Sequence, residues 1–277
     1  MTISAMPTTR LERAAGFGLA CYVALIAIFL IAPILAIVPL SVSDGQFLVY
    51  PLRGLSWRWF VAFFTSDRWA VSVKNSLFIG SIAASLACAL GTMAAVGLTR
   101  ANFFGKRIIT GLILLPLVVP IVIYAVGLYF FFAPLGLTQS YTGLILAHAA
   151  LGSPFVVVTV SASLSNFDYN LMRAATSLGA PPLMAFRRIM LPIVLPGVVT
   201  GALFAFAASF DEVVTVLFLA SPEQRTIPRE MFSGLRENLS PVIAAASTVM
   251  IAAAILLLAA VQVLRRRTER AMVNIAS

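Results

Sequence analysis

The stretch Arg173–Pro192, RAATSLGAPPLMAFRRIMLP, interrupts a chain that is otherwise almost uniformly apolar. Ahead of it, Asp168 is suited to cap a helix start, and Ala174, Ala175 and Leu178 then recur on one helical face until Gly179 offers a C-terminal cap. Pro182 fits the first turn of a second helix, which passes Phe186 and Ile189 and is expected to stop or kink at Pro192. The segment therefore reads as a helix-turn-helix hairpin, too short and too charged to cross a bilayer. Two uses fit it. One is an amphipathic hairpin lying on lipid. The other is a knob that fills a groove on a cytoplasmic protein with small residues and the apolar anchors Leu178, Phe186 and Ile189.

The surroundings fix the class. Of 277 residues, 61% are hydrophobic and 10% charged, with a mean hydropathy of +1.01, against about 25% charged in soluble domains. Apolar runs near the roughly 20 residues that a membrane helix needs recur along the chain, without the alternation of an outer-membrane barrel. Six spans are expected: Phe17 to Leu40, Ser72 to Leu98, Ile108 to Ala133, Gly143 to Leu164, Ile193 to Ala220 and Pro241 to Leu264. The fold class is an all-α polytopic bundle of six transmembrane helices, with the hairpin between helices 4 and 5. The first apolar run is too long for a signal-peptide core, so it is expected to be retained as a helix.

Lys and Arg crowd one set of span ends, including Arg10, Arg13, Arg100, Lys106, Arg107, Arg173, Arg187, Arg188 and the run from Arg265 to Arg270. By the positive-inside rule both termini and the hairpin are cytoplasmic. This asymmetry explains the net charge of +9; a basic rim facing anionic lipid suffices, and nucleic acid need not be invoked. Cys21 and Cys88 fall inside spans with no partner spacing, so neither a disulfide nor a metal site is expected.

The spacing A-A-x-x-x-G-x9-I-x-L-P, met by Ala174, Ala175, Gly179, Ile189, Leu191 and Pro192, resembles the coupling-helix signature of permease subunits in bacterial ATP-binding-cassette importers. The run Ser209–Pro241, SFDEVVTVLFLASPEQRTIPREMFSGLRENLSP, and the run Leu115–Tyr129, LPLVVPIVIYAVGLY, resemble the polyamine (spermidine/putrescine) branch of that family. The resemblance covers roughly Val71 to Leu264. It implies a tail, first helix and outer loop over 1–70, a permease domain over 71–264 and a basic cytoplasmic tail over 265–277.

It further implies an inner-membrane importer built from this chain, a second permease, two ATPase subunits and a periplasmic substrate-binding protein. Arg173, Ala174, Ala175, Leu178, Gly179, Phe186, Ile189, Leu191 and Pro192 would then meet the ATPase. The pattern departs at Arg173, where the family usually has Glu. The chain has no Walker-type G-x-x-x-x-G-K-[ST] loop, so it is not expected to be an enzyme or to hold a cofactor; ATP and Mg belong on the partner.

Asp211 and Glu212 are the carboxylates placed deep in a span, where an ionised group is costly unless paired or hydrated. With Phe210, Tyr124 and Tyr129 they compose a candidate path for a cationic cargo such as putrescine or spermidine. Another small amine or an organophosphonate is the alternative cargo. Arg58, Arg68, Arg225, Arg229 and their neighbours on the outer side, Arg53 and Arg236, suit an anionic substrate or the orientation of a binding protein. Trp57, Trp59 and Trp69 suit a surface helix at the interface. From another class, an ion-coupled secondary transporter would use Asp211, Glu212 and His148; the sole histidine is otherwise read as hydrogen-bonded structure.

Overall fold

The computed structural model describes residues 10–52, 54–237 and 240–276. Arg53 and the side chains of Arg10, Arg13, Arg265, Arg266, Arg267 and Arg270 lie outside the described residues, as do 1–9 and 277. Among the described residues twelve α-helices follow in order: α1 Arg10–Ser41, α2 Arg58–Thr65, α3 Asp67–Arg100, α4 Lys106–Leu114, α5 Ile121–Phe132, α6 Tyr141–Leu164, α7 Asn170–Ser177, α8 Pro182–Ala185, α9 Leu191–Phe210, α10 Val214–Leu219, α11 Ile227–Glu237 and α12 Val242–Ala276.

Five helical stretches are long and apolar enough to cross a membrane, and two shorter, mutually bent helices make six if the pair counts as one span. The expected third span is not one rod. Pro116 sits in a 3-10 turn, where Val118 and Val119 both donate to the Leu115 carbonyl, and Pro120 leaves the helical region at ψ 130. Proline removes a donor and disfavours helix in the residue before it. As a result α4 and α5 meet at 107°.

The centre of the bundle is α3, α6 and α9, each packed on the other two. Lipid supplies no hydrophobic drive between helices, so close approach must come from small side chains. The contact faces supply them: Ala83, Ala87 and Ala95 on α3, Ala149 and Gly152 on α6, Gly201 and Ala205 on α9. Val156 is the meeting point. A methyl on Gly91 would come within 2.7 Å of its Cβ, and one on Gly201 within 2.8 Å of its Cα. In contrast α1 packs mainly on α12, with most of its apolar surface exposed.

The expected fifth span also changes at both ends. It stops at Phe210 rather than Ala220, and α10 is a separate short helix. At its start Pro192 does not stop the hairpin's second helix. The Leu191 N–H donates to the Phe186 carbonyl, an i to i−5 bond, and the π-turn Phe186–Met190 joins α8 to α9 in one span, Pro182–Phe210. Such a turn absorbs the donor missing at Pro192 without ending the helix. α2 is the short surface helix expected near the tryptophans: the Trp59 indole N–H donates to the Ser43 carbonyl at 2.9 Å, Trp69 is buried against Phe63, and Trp57 stays exposed.

Candidate functional site

The hairpin forms where α6 ends. The Asp168 carboxylate accepts from the Asn170 N–H at 2.9 Å, but the N-cap position of α7 falls on Tyr169, which caps nothing with its side chain. At the other end Gly179 has φ +84; its N–H donates to Thr176 O at 2.9 Å and the Ala180 N–H to Ala175 O at 3.0 Å. This pair of bonds is a Schellman cap, which requires the left-handed conformation that glycine adopts without strain. Pro182 then opens α8 at its first position.

The two halves pack on each other, and Ala175, Ala185 and Met190 are buried. Leu178 is 89% exposed and Leu183 67% exposed, while Gly179 has nothing within 4 Å of where a Cβ would stand. Arg173, Ala174 and Pro192 are exposed and Leu191 half-buried. Phe186 and Ile189, expected as outward anchors, instead pack on the three-helix core. The apolar surface that the hairpin presents is carried by Leu178, Leu183 and Met184; the latter two were missed because the period of an isolated helix does not reveal which face the bundle takes.

At the opposite end of α9, Asp211 and Glu212 are not deep in a span. Asp211 is the C-cap residue, exposed, and its N–H donates to Ala207 O at 3.1 Å. Asp211 helps to line a cavity of about 710 Å³ with Phe210, Phe206, Leu77 of α3 and Met250 of α12. Glu212 accepts from the Thr215 N–H at 2.7 Å and so starts α10. The structure brings Asp211 and Phe210 into one cavity but not the two tyrosines. Tyr124 donates to Ala147 O at 2.6 Å, and Tyr129 stands edge-on to Phe130. His148 is buried, its Nδ1 2.7 Å from Ser209 Oγ, with Nε2 lacking a partner.

Four of the outer arginines are occupied: Arg58 pairs with Asp44 at 3.6 Å and donates to the Gly45 carbonyl at 2.9 Å, and the other three surround the loop 221–230. Glu230 of α11 is buried, one carboxylate oxygen paired with Arg68 and the other 3.4 Å from Arg225. Arg229 donates to the carbonyls of Ala220 and Ser221 at 3.1 and 3.0 Å. Burial and the neighbouring Arg225 pull Arg229 below the usual arginine range, opposed by Glu230. Asn75 of α3 donates to the Glu223 and Arg225 carbonyls at 2.9 and 3.0 Å while accepting from Tyr141 at 2.9 Å. These groups sew the loop 221–230 to the bundle instead of standing free as a steering patch. Glu230 escaped sequence reading: an acid in a helix's first turn is ordinary, and its burial is a tertiary fact.

A three-helix core of small residues thus carries a capped hairpin at one end and, at the other, a cavity that Asp211 helps to line. Residues 87–273 match the family described as binding-protein-dependent transport system inner membrane component, and the chain belongs to that family. It is 31% identical over 217 residues to the spermidine/putrescine transport system permease protein PotC of Haemophilus influenzae, covering 78% of this chain and 84% of that one. It is 35% identical over 224 residues to the putrescine transport system permease protein PotI of Escherichia coli, covering 78% and 79%. Among solved structures, a bacterial ABC transporter involved in the import of the acidic polysaccharide alginate superposes with a TM-score of 0.72 at 16% identity, covering 93% of this chain and 99% of that one. The fold is shared with transporters of dissimilar cargo.

Proposed function

We propose that this permease subunit carries polyamines, putrescine or spermidine, into the bacterial cell. It would work with a second permease, two ATPase subunits that bind ATP and Mg, and a periplasmic binding protein. The observation that carries the reading is the 35% identity to a putrescine permease over 78% of the chain, joined to the presence of Asp211 in the lining of an otherwise apolar cavity. A carboxylate over an apolar, aromatic-flanked hollow suits an ammonium group separated from the next by methylenes.

In this reading the hairpin end and both termini face the cytoplasm, in keeping with the arginine distribution. Leu178, Gly179 and Leu183 meet a groove on the ATPase, with Arg173, Ala174 and Ala175 beside them. ATP-driven closure of the ATPases displaces the hairpin, and the path opens outward between the permeases. Hydrolysis belongs to the partner.

The test is uptake of labelled putrescine and spermidine by cells expressing the full transporter, with ATP depleted or the ion gradient collapsed separately. Uptake that stops with ATP supports the importer. Uptake that survives ATP depletion but stops with the gradient would favour ion coupling through Asp211, Glu212 and His148. Uptake of neither amine removes the polyamine assignment.

A further inference from the structure

At the hairpin end a second cavity, of about 800 Å³, opens between the last turns of α3 and the hairpin itself. Arg100, in the last turn of α3, and Arg173, on α7, both line it, and none of the lining residues carries a carboxylate. Both side chains are exposed, and among the described residues neither makes an ion pair. Tyr169 lines the same hollow, and its hydroxyl oxygen is shielded from solvent without a hydrogen-bond partner. Phe186 and Met190 form an apolar part of the wall.

Two guanidinium groups on one hollow repel each other, and the apolar wall weakens the screening that water provides. One negative group satisfies both, since arginine pairs well with a carboxylate. We infer that the Arg100, Arg173 and Tyr169 hollow receives an aspartate or glutamate side chain of the ATPase subunit. The inference rests on the proposed docking of that subunit at the hairpin, and it supplies the charge of the contact.

A protein carboxylate fits better than a lipid phosphate because of what flanks the hollow. Beside the hollow, Leu178 follows the lining residue Ser177 directly and is 89% exposed, with Leu183 also exposed. An apolar pair flanking a cationic hollow matches a protein groove rimmed by an acid, whereas a headgroup leaves that pair facing water.

The experiment uses two single variants, Arg100→Lys and Arg173→Lys, each of which keeps the charge while supplying an amine. Each transporter is extracted from its native membrane in mild detergent and treated with a zero-length carbodiimide. The expected result is an amide bond from the introduced amine, in one or both variants, to an acidic residue of the co-purifying ATPase, identified by mass spectrometry. In parallel, R100E combined with R173E should lower ATPase recovery about tenfold or more at low salt and abolish its salt sensitivity, with recovery of the second permease unchanged.

An ATPase that co-purifies but cross-links at neither position, and survives the double reversal, overturns the inference and leaves the importer reading intact. The same result with loss of bound phosphatidylglycerol assigns the hollow to lipid. If the wild-type chain recovers no ATPase, the importer reading falls, and the inference with it.

Discussion

Gly179 separates strain inside the chain from contact with a partner. Its φ of +84 lies in the left-handed region, and no atom stands within 4 Å of the Cβ position. Any L residue there meets a backbone cost of about 1–2 kcal/mol and no clash. Gly179→Ala and Gly179→Leu should thus weaken the turn equally, by a factor of about 5–30 in its closed-to-open ratio. The amides that report it are those of Gly179 and Ala180, bonded to Thr176 O and Ala175 O. Hydrogen exchange at both should accelerate by that factor in either variant, and by less in Gly179→Asn, since Asn tolerates this conformation.

Recovery of the ATPase then gives a second reading. If the hairpin docks with Gly179 against the partner, Leu should lose about tenfold more ATPase than Ala, because only the longer side chain intrudes. Equal recovery with Ala and Leu would mean that nothing approaches Gly179, which refutes the docking geometry. Unchanged exchange in both variants would refute the strain argument itself.

Other substitutions address the remaining parts. Glu230→Gln should cost about 1–3 kcal/mol, seen as a lower melting temperature and faster proteolysis within 221–237, because Arg68 and Arg225 lose a shared buried carboxylate. Gly201→Val should cost about 1–3 kcal/mol or more and reduce folded protein in the membrane, since the added Cβ meets the Val156 backbone, which no rotamer change relieves. Asp211→Asn should lower the uptake of a cationic substrate with assembly intact, whereas Glu212→Gln, which keeps an acceptor for the Thr215 N–H, should be milder; equal uptake in Asp211→Asn removes it from the path. His148→Gln should retain uptake and His148→Ala should lose about 1–3 kcal/mol of stability, read by thermal melting, as a buried bond to Ser209 is lost. Abolished uptake in a stably folded His148→Gln protein would restore a proton-carrying role.

The hairpin was legible because its signals are local. Gly179 and Pro182 each impose a backbone requirement that holds whatever surrounds them, and the structure meets both. The spans were legible as apolar length, but their breaks depended on proline in context. Pro120 turned the chain by starting a new helix, while Pro192 was absorbed by a π-turn because Phe186, Ile189 and Met190 are held on the core. The same residue type gave opposite outcomes, and only packing distinguishes them. Asp211 and Glu212 stand out in the sequence as acids deep in a span, whereas the structure ends α9 at Phe210 and leaves them just past it; the end of α9 carries no sequence punctuation beyond the acids themselves. The outer arginines show no partner in the sequence because Glu230 is far from Arg68 along the chain.

The unbroken passage through Pro192 changes what the hairpin can transmit. The span Pro182–Phe210 has 29 residues, about 43 Å at helical rise, and it carries the hairpin's second half at one end and the cap residue Asp211 just past the other. A hairpin hinged at Pro192 would move on its own; one continuous with α9 must carry its displacement into α9 or strain the π-turn. Because α9 interlocks with α6 and α3 at Gly201, Gly91 and Val156, it cannot slide without moving its neighbours, so a push at Leu178 or Leu183 is expected to tilt the three as one body. The small residues of the core therefore serve two ends at once: they let the helices approach, and that close approach makes them move together.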